Sequence, residues 1–190
     1  MRFWVASLGV LALVAGLSLA AFASTRTDDG NFVVTSSQDL PDDVLAEIET
    51  VQNLFDERAP GRIDKCDPEI NLLLVSEVTG GDARYLPADR LVEIEIPTSP
   101  RRFRDSLVHE IAHHLDETCQ DADELRREWL SQDPLSSGWT DGVWEDRPSE
   151  LYAETVVQAI LDERARYGRT MPLPGHGPPL VASWLVGDPL

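Results

Sequence analysis

Residues 99–117 read SPRRFRDSLVHEIAHHLDE, and the rest of the chain is best understood outward from them. Ser99 followed by Pro100 is a helix start: a hydroxyl residue at the cap, then a proline whose missing N–H is not needed in the first turn. Phe103, Leu107, Ile111 and Leu115 are each four residues apart. Val108 and Ala112 widen that stripe, which predicts a helix with a broad buried face. Within it lies His109-Glu110-Ile111-Ala112-His113. Four residues turn an α-helix through about 400°, so His109 and His113 stack on one face and both rings can reach a single ion. Glu110 lies about 100° further round, too far to ligate in the same plane. It can still reach a water on that ion, where a general base is needed. The apolar stripe points roughly the opposite way, which leaves the histidine side free for a metal. Two merely exposed histidines are the bland alternative, and the full pattern on so periodic a helix outweighs it.

The flanking segments predict a small sheet and several helices. Leu91–Ile96 (LVEIEI) alternates apolar and acidic residues, a strand with one covered and one wet face, read as the edge of the sheet. Glu69–Val78 (EINLLLVSEV), bounded by Asp-Pro and Gly-Gly, reads as a buried strand, and Phe32-Val33-Val34 as a short one. Val44, Ile48, Val51 and Phe55 predict a helix over 39–58, capped by Asp39 and ended by Ala59-Pro60-Gly61. Beyond the histidines, Asp121–Leu130 reads as a charged helix and Ser131–Asp146 as a loop holding Trp139 and Trp144. Pro148 starts a further helix expected to run through Tyr167, stopped by Gly168. The expected organisation is an α+β domain over 39–167, an N-terminal segment 24–38 before it whose polar part, Ser24–Gly30, reads as a flexible start, and a Pro/Gly-rich tail over 168–190.

Residues 1–23 are set apart. Arg2 gives a positive start, Phe3–Phe22 carries no charge, and Ala21-Phe22-Ala23 has the small-x-small form of a signal-peptidase site. Cleavage after Ala23 is expected; an uncleaved leader would act as a membrane anchor. The chain holds 16 Lys+Arg against 34 Asp+Glu, a net charge of −18. That charge disfavours nucleic acid and anionic membrane surfaces and suits solubility outside the cell. In an exported chain the two cysteines, Cys66 and Cys119, read as a disulfide.

His-Glu-x-x-His on a helix that follows an edge strand resembles the zincin metallopeptidases. The resemblance implies two zinc ligands, His109 and His113, with Glu110 as catalytic base and the edge strand lining a substrate cleft. Catalytic zinc usually takes a third protein ligand and leaves one position to water. A metzincin-type continuation would place glycine at Asp116 and a ligand at Cys119; the glycine is missing and cysteine replaces the usual ligand. The better candidate is Ser149-Glu150-Leu151-Tyr152-Ala153-Glu154, at the start of a later helix, where Glu150 and Glu154 share a face. This run is similar to the gluzincin pattern, and closer still to the Glu-x-Phe-Ala-Glu of the lethal-factor-like group. By that likeness Glu150 becomes the third ligand and Glu154 the carboxylate that orients a ligand histidine. Acids that simply face water near a helix start are the plain alternative.

The likeness covers about 39–167 as architecture, but only HEIAH and ELYAE as motif. The lethal-factor-like group has a tyrosine seven residues before its glutamate ligand, thought to stabilise the transition state; Val143 stands there. Tyr152, His114 and His176 are the candidates left for that role. The expected function is a secreted zinc metallopeptidase acting on peptides or proteins. A catalytically silent zincin-like binding protein is the main rival. A deformylase-type hydrolase is a weaker one, because Lys65-Cys66-Asp67-Pro68 lacks the glycine-rich context of that family's cysteine ligand.

Overall fold

Alternating apolar residues build a five-stranded mixed sheet. In the computed structural model, which describes residues 23–26, 31–36, 40–96, 99–133, 138–162 and 172–190, the strands are β1 (Ala23–Arg26), β2 (Phe32–Ser36), β3 (Ile70–Val75), β4 (Ala83–Leu86) and β5 (Leu91–Glu95). Of the expected leader only Ala23 is among the described residues, and Asp39 is not; the helix expected over 39–58 starts at Asp42 with Pro41 at its cap, in place of the Asp39 cap. Strand order is β1-β2-β3-β5-β4; β2, β3 and β5 run parallel, and antiparallel β1 and β4 form the edges. Register sets Phe32 beside Ile70, Val34 beside Leu72, Leu72 beside Val92 and Leu74 beside Ile94, so one buried apolar face crosses three strands.

Three sequence expectations change here. The segment from Ser24, read as a flexible start, contributes β1, held by pairing with β2. EINLLLVSEV is covered on one face, not both: Ile70, Leu72 and Leu74 are buried while Leu73 and Val75 are only half-buried. LVEIEI has the expected dry and wet faces, but β4 pairs along it and is itself the edge. Alternation reports a half-covered face and is blind to whether a further strand lies alongside.

Helices cover the dry face. α1 (Asp42–Arg58) buries the foreseen stripe of Val44, Ile48, Val51 and Phe55, and the single turn α2 (Arg62–Lys65) follows. α3 (Pro100–Thr118), with Ser99 at its cap, lies against β4, β5 and α1. α4 (Ala122–Gln132) and α5 (Pro148–Leu161) come next, and α5 packs along α3. α5 closes at Leu161, where Asp162 takes the left-handed conformation (φ 55°), rather than continuing as expected; the expected stretch to Tyr167 and its Gly168 stop lie outside the described residues.

The segment read as a tail instead carries α6 (Gly177–Val186), whose Leu180, Val181, Trp184 and Leu185 are buried against α5 and α4. Pro178 and Pro179 occupy its first turn, the one place where proline suits a helix, so the Pro/Gly content marks a start and not an absence of structure. Arg62, 2% exposed, fastens this corner. Its guanidinium lies 4.3 Å from the Trp184 ring and donates to both carboxylate oxygens of Asp121, at 2.8 and 3.0 Å.

Cys66 and Cys119 form a disulfide, joining the end of α2 to the end of α3 across 53 residues. Restricting a loop of that length in the unfolded chain stabilises the fold by roughly 4 kcal/mol. Cys66→Ser and Cys119→Ser should each lower the unfolding free energy by about 2–5 kcal/mol, and the double variant should lose no more than either single one. Urea unfolding curves at neutral pH check this; strictly additive losses would mean the thiols act through packing and not through their bond.

Candidate metal centre

α3 is buried almost all the way round. The histidine side, expected to stand free, is closed by α5 and by the β4 edge; His109 and Glu110 are each 8% exposed. Small residues allow the close approach, since Ala112 and Ala153 are both fully buried. The Tyr152 hydroxyl fixes it by donating to the carbonyl of Ala112, the residue just before His113, at 3.3 Å.

This packing brings the sequence-chosen residues together. His109 Nε2 lies 3.2 Å from His113 Nε2 and 3.1 Å from Glu150 Oε2, and His113 Nε2 is 3.5 Å from the same oxygen. One atom from each of the three residues thus lies close enough to bind a metal ion. Glu154, one turn along from Glu150, sets Oε1 3.2 Å from His109 Nδ1, the ring nitrogen facing away from that cluster.

The charges are tightly coupled. Burial alone would lower the His109 pKa, but hydrogen bonds with Glu150 and Glu154 and the charge of Glu110 outweigh it and raise it to about 10. Burial would raise Glu150, but its hydrogen bonds with His109 and His113 hold it well below the usual carboxylate range. Without an ion, then, a proton sits in the cluster, and a divalent cation must displace it. Glu110 is pushed up by burial, against the lowering effect of His109, His113 and a backbone hydrogen bond from Tyr85. That hydrogen bond follows from register. The Glu95 N–H donates to the Asp82 carbonyl at 2.8 Å, so alternate residues, Ala83 and Tyr85, turn their backbone groups away from β5 and toward α3.

The cluster opens into a cavity of about 590 Å³, lined among others by Gly81, Tyr85, Trp144 and Arg147. The two loop tryptophans part company here. Trp139 is packing: its ring meets Trp129 and Tyr152, and its Nε1 donates to Asp116 at 2.8 Å. Trp144 is 43% exposed and stacks over His109 at 6.5 Å on the cavity wall. Val143, in the place where the lethal-factor-like group has tyrosine, is 63% exposed.

None of the three residues held in reserve as a transition-state donor lines this cavity. Tyr152 is committed to Ala112. His114 is fully buried, its Nε2 is 3.2 Å from the Asp67 carbonyl, and burial lowers its pKa. His176 packs edge-on against Trp129 at 5.1 Å. The metzincin-type positions are likewise occupied, Asp116 by Arg126 and Trp139 and Cys119 by the disulfide. Sequence reasoning passed over Arg147, whose Nη1 is 3.6 Å from Glu150 Oε1. Its place directly before the Pro148 helix start was the available signal.

Fold and site together define an α+β protein with a buried His-His-Glu cluster able to hold a metal ion. No family model matches the chain, and neither a curated protein nor a solved structure matches it significantly.

Proposed function

We propose that this chain is an exported zinc-dependent peptidase of the zincin type, with His109, His113 and Glu150 as metal ligands. The observation that carries this reading is the spacing of the three donor atoms, 3.1, 3.2 and 3.5 Å. Ligands at about 2.0–2.1 Å from a tetrahedral ion are separated by about 3.3–3.4 Å, which those distances bracket. Two imidazoles and one carboxylate suit zinc, whereas magnesium and calcium prefer oxygen alone. His109, His113 and Glu150 would hold the ion through two neutral rings and one carboxylate, which would leave it net positive with an open position and so able to supply water activation and carbonyl polarisation.

The protein's own groups supply the rest. Glu110 stands beside the cluster, and its raised pKa favours taking a proton from an attacking water and passing it to the departing amine. Glu154 accepts from His109 Nδ1–H, which keeps Nε2 unprotonated for the ion. The outward backbone groups of Ala83 and the Tyr85 carbonyl can pair with an extended peptide across the cavity. Export rests on the leader-like residues 1–23 and agrees with the Cys66–Cys119 disulfide.

Protein purified in zinc-containing medium should carry about one zinc per chain and cleave members of a peptide library. Dialysis against a chelator should abolish cleavage and added zinc should restore it. A zinc-loaded protein inert across a broad library would favour the silent binding protein instead.

A further inference from the structure

Glu150 is shared unequally. Its Oε2 faces the Nε2 atoms of His109 and His113, whereas Oε1 is turned to Arg147 Nη1 at 3.6 Å. The Arg147 carbonyl accepts the backbone N–H groups of Glu150 and Leu151, each at 3.0 Å, so this residue starts the helix that delivers Glu150. Its side chain folds back over the carboxylate that its main chain has just positioned. The Arg147 side chain is only 34% exposed, and its Nε is buried without a hydrogen-bond partner among the described residues. A buried donor left in that state is unfavourable. Glu150 is a carboxylate with which the guanidinium pairs.

Building on the metal reading above, we infer that Arg147 is a positioning residue that makes Glu150 a one-oxygen ligand. A free carboxylate can swing both oxygens onto one cation and fill the place that a reacting water needs. A fixed positive charge on Oε1 opposes that rotation and holds Oε2 toward the histidines. Arg147 acts here through Glu150 and not on the substrate.

The test uses the full chain with Arg147→Gln, Arg147→Lys and, as a second neutral form of similar length, Arg147→Met. Zinc and cobalt(II) affinities are measured by competition with a chromophoric chelator, and the visible spectrum of the cobalt(II) form reports its coordination. Thermal melts confirm that each variant is folded. Loss of the charge should weaken metal binding by about 10–100-fold and reduce the cobalt band intensity, as a second carboxylate oxygen joins the ion; Arg147→Lys should recover most of both. Unchanged affinity and spectrum in a folded neutral variant would overturn the inference, even if turnover fell, because the guanidinium would then be serving the substrate. If the unaltered protein binds neither zinc nor cobalt, the metal reading and this inference fall together.

Discussion

Glu110→Gln should lower kcat/KM for any cleaved peptide by about 10²–10⁴-fold, the range typical of a lost general base, while zinc content and melting temperature stay unchanged. The side chain keeps its length, so burial and contacts persist. What disappears is the capacity to accept a proton. Glu110 is not among the three residues whose donor atoms converge, so metal retention separates its role from theirs. A variant within a few-fold of the parent would remove Glu110 from the mechanism.

Glu150→Ala should cost still more, because it removes a donor outright. Metal affinity should drop by more than the ~10–100-fold typical of an outer partner, and turnover should vanish at any attainable zinc concentration. Equilibrium dialysis with zinc measures the first and peptide cleavage the second. The metal-free protein offers an independent check. With the His109 pKa lifted from 6.5 to about 10, in part by Glu150, the pair stabilises the fold fully below 6.5 and progressively less as pH rises through about 10. Metal-free Glu150→Ala should therefore melt lower than the metal-free parent near pH 6, and the gap should narrow toward pH 10. A constant gap would mean that Glu150 stabilises by packing alone.

How far residues alone could go is set by the range of the signals. Periodicity is local, and it located α1 and α3 by their apolar stripes, while Pro100 and Pro148 marked where α3 and α5 start. His109 and His113 were legible because they occupy one turn of a helix, a spacing that needs no tertiary knowledge; Glu150 and Glu154 share a face by the same spacing but were singled out through the likeness to the lethal-factor-like pattern. That the two pairs meet was not derivable from spacing; it depends on Ala112, Ala153 and the Tyr152 bond, which set the approach of α3 and α5. β4 escaped notice because Ala83–Leu86 is four residues long with Arg84 and Tyr85 at its centre, too short for alternation to stand out. α6 was hidden by composition, since proline and glycine counts do not say which turn of a helix they occupy. Arg147 was missed for another reason: its partner is three residues away, and an Arg–Glu pair at that spacing is ordinary on any acidic surface.

The bond between Tyr152 and Ala112 bears on how a cation would enter and leave. It anchors the two helices from behind, inside a core of aromatic and aliphatic side chains that includes Trp129, Trp184 and Phe103. The donors consequently converge before any guest arrives, unlike those of a zinc finger, whose chain collapses only around its ion. Emptying the centre and dissolving the protein should accordingly be two separable events, so that a stripped sample keeps its shape and regains competence on titration, without having to refold.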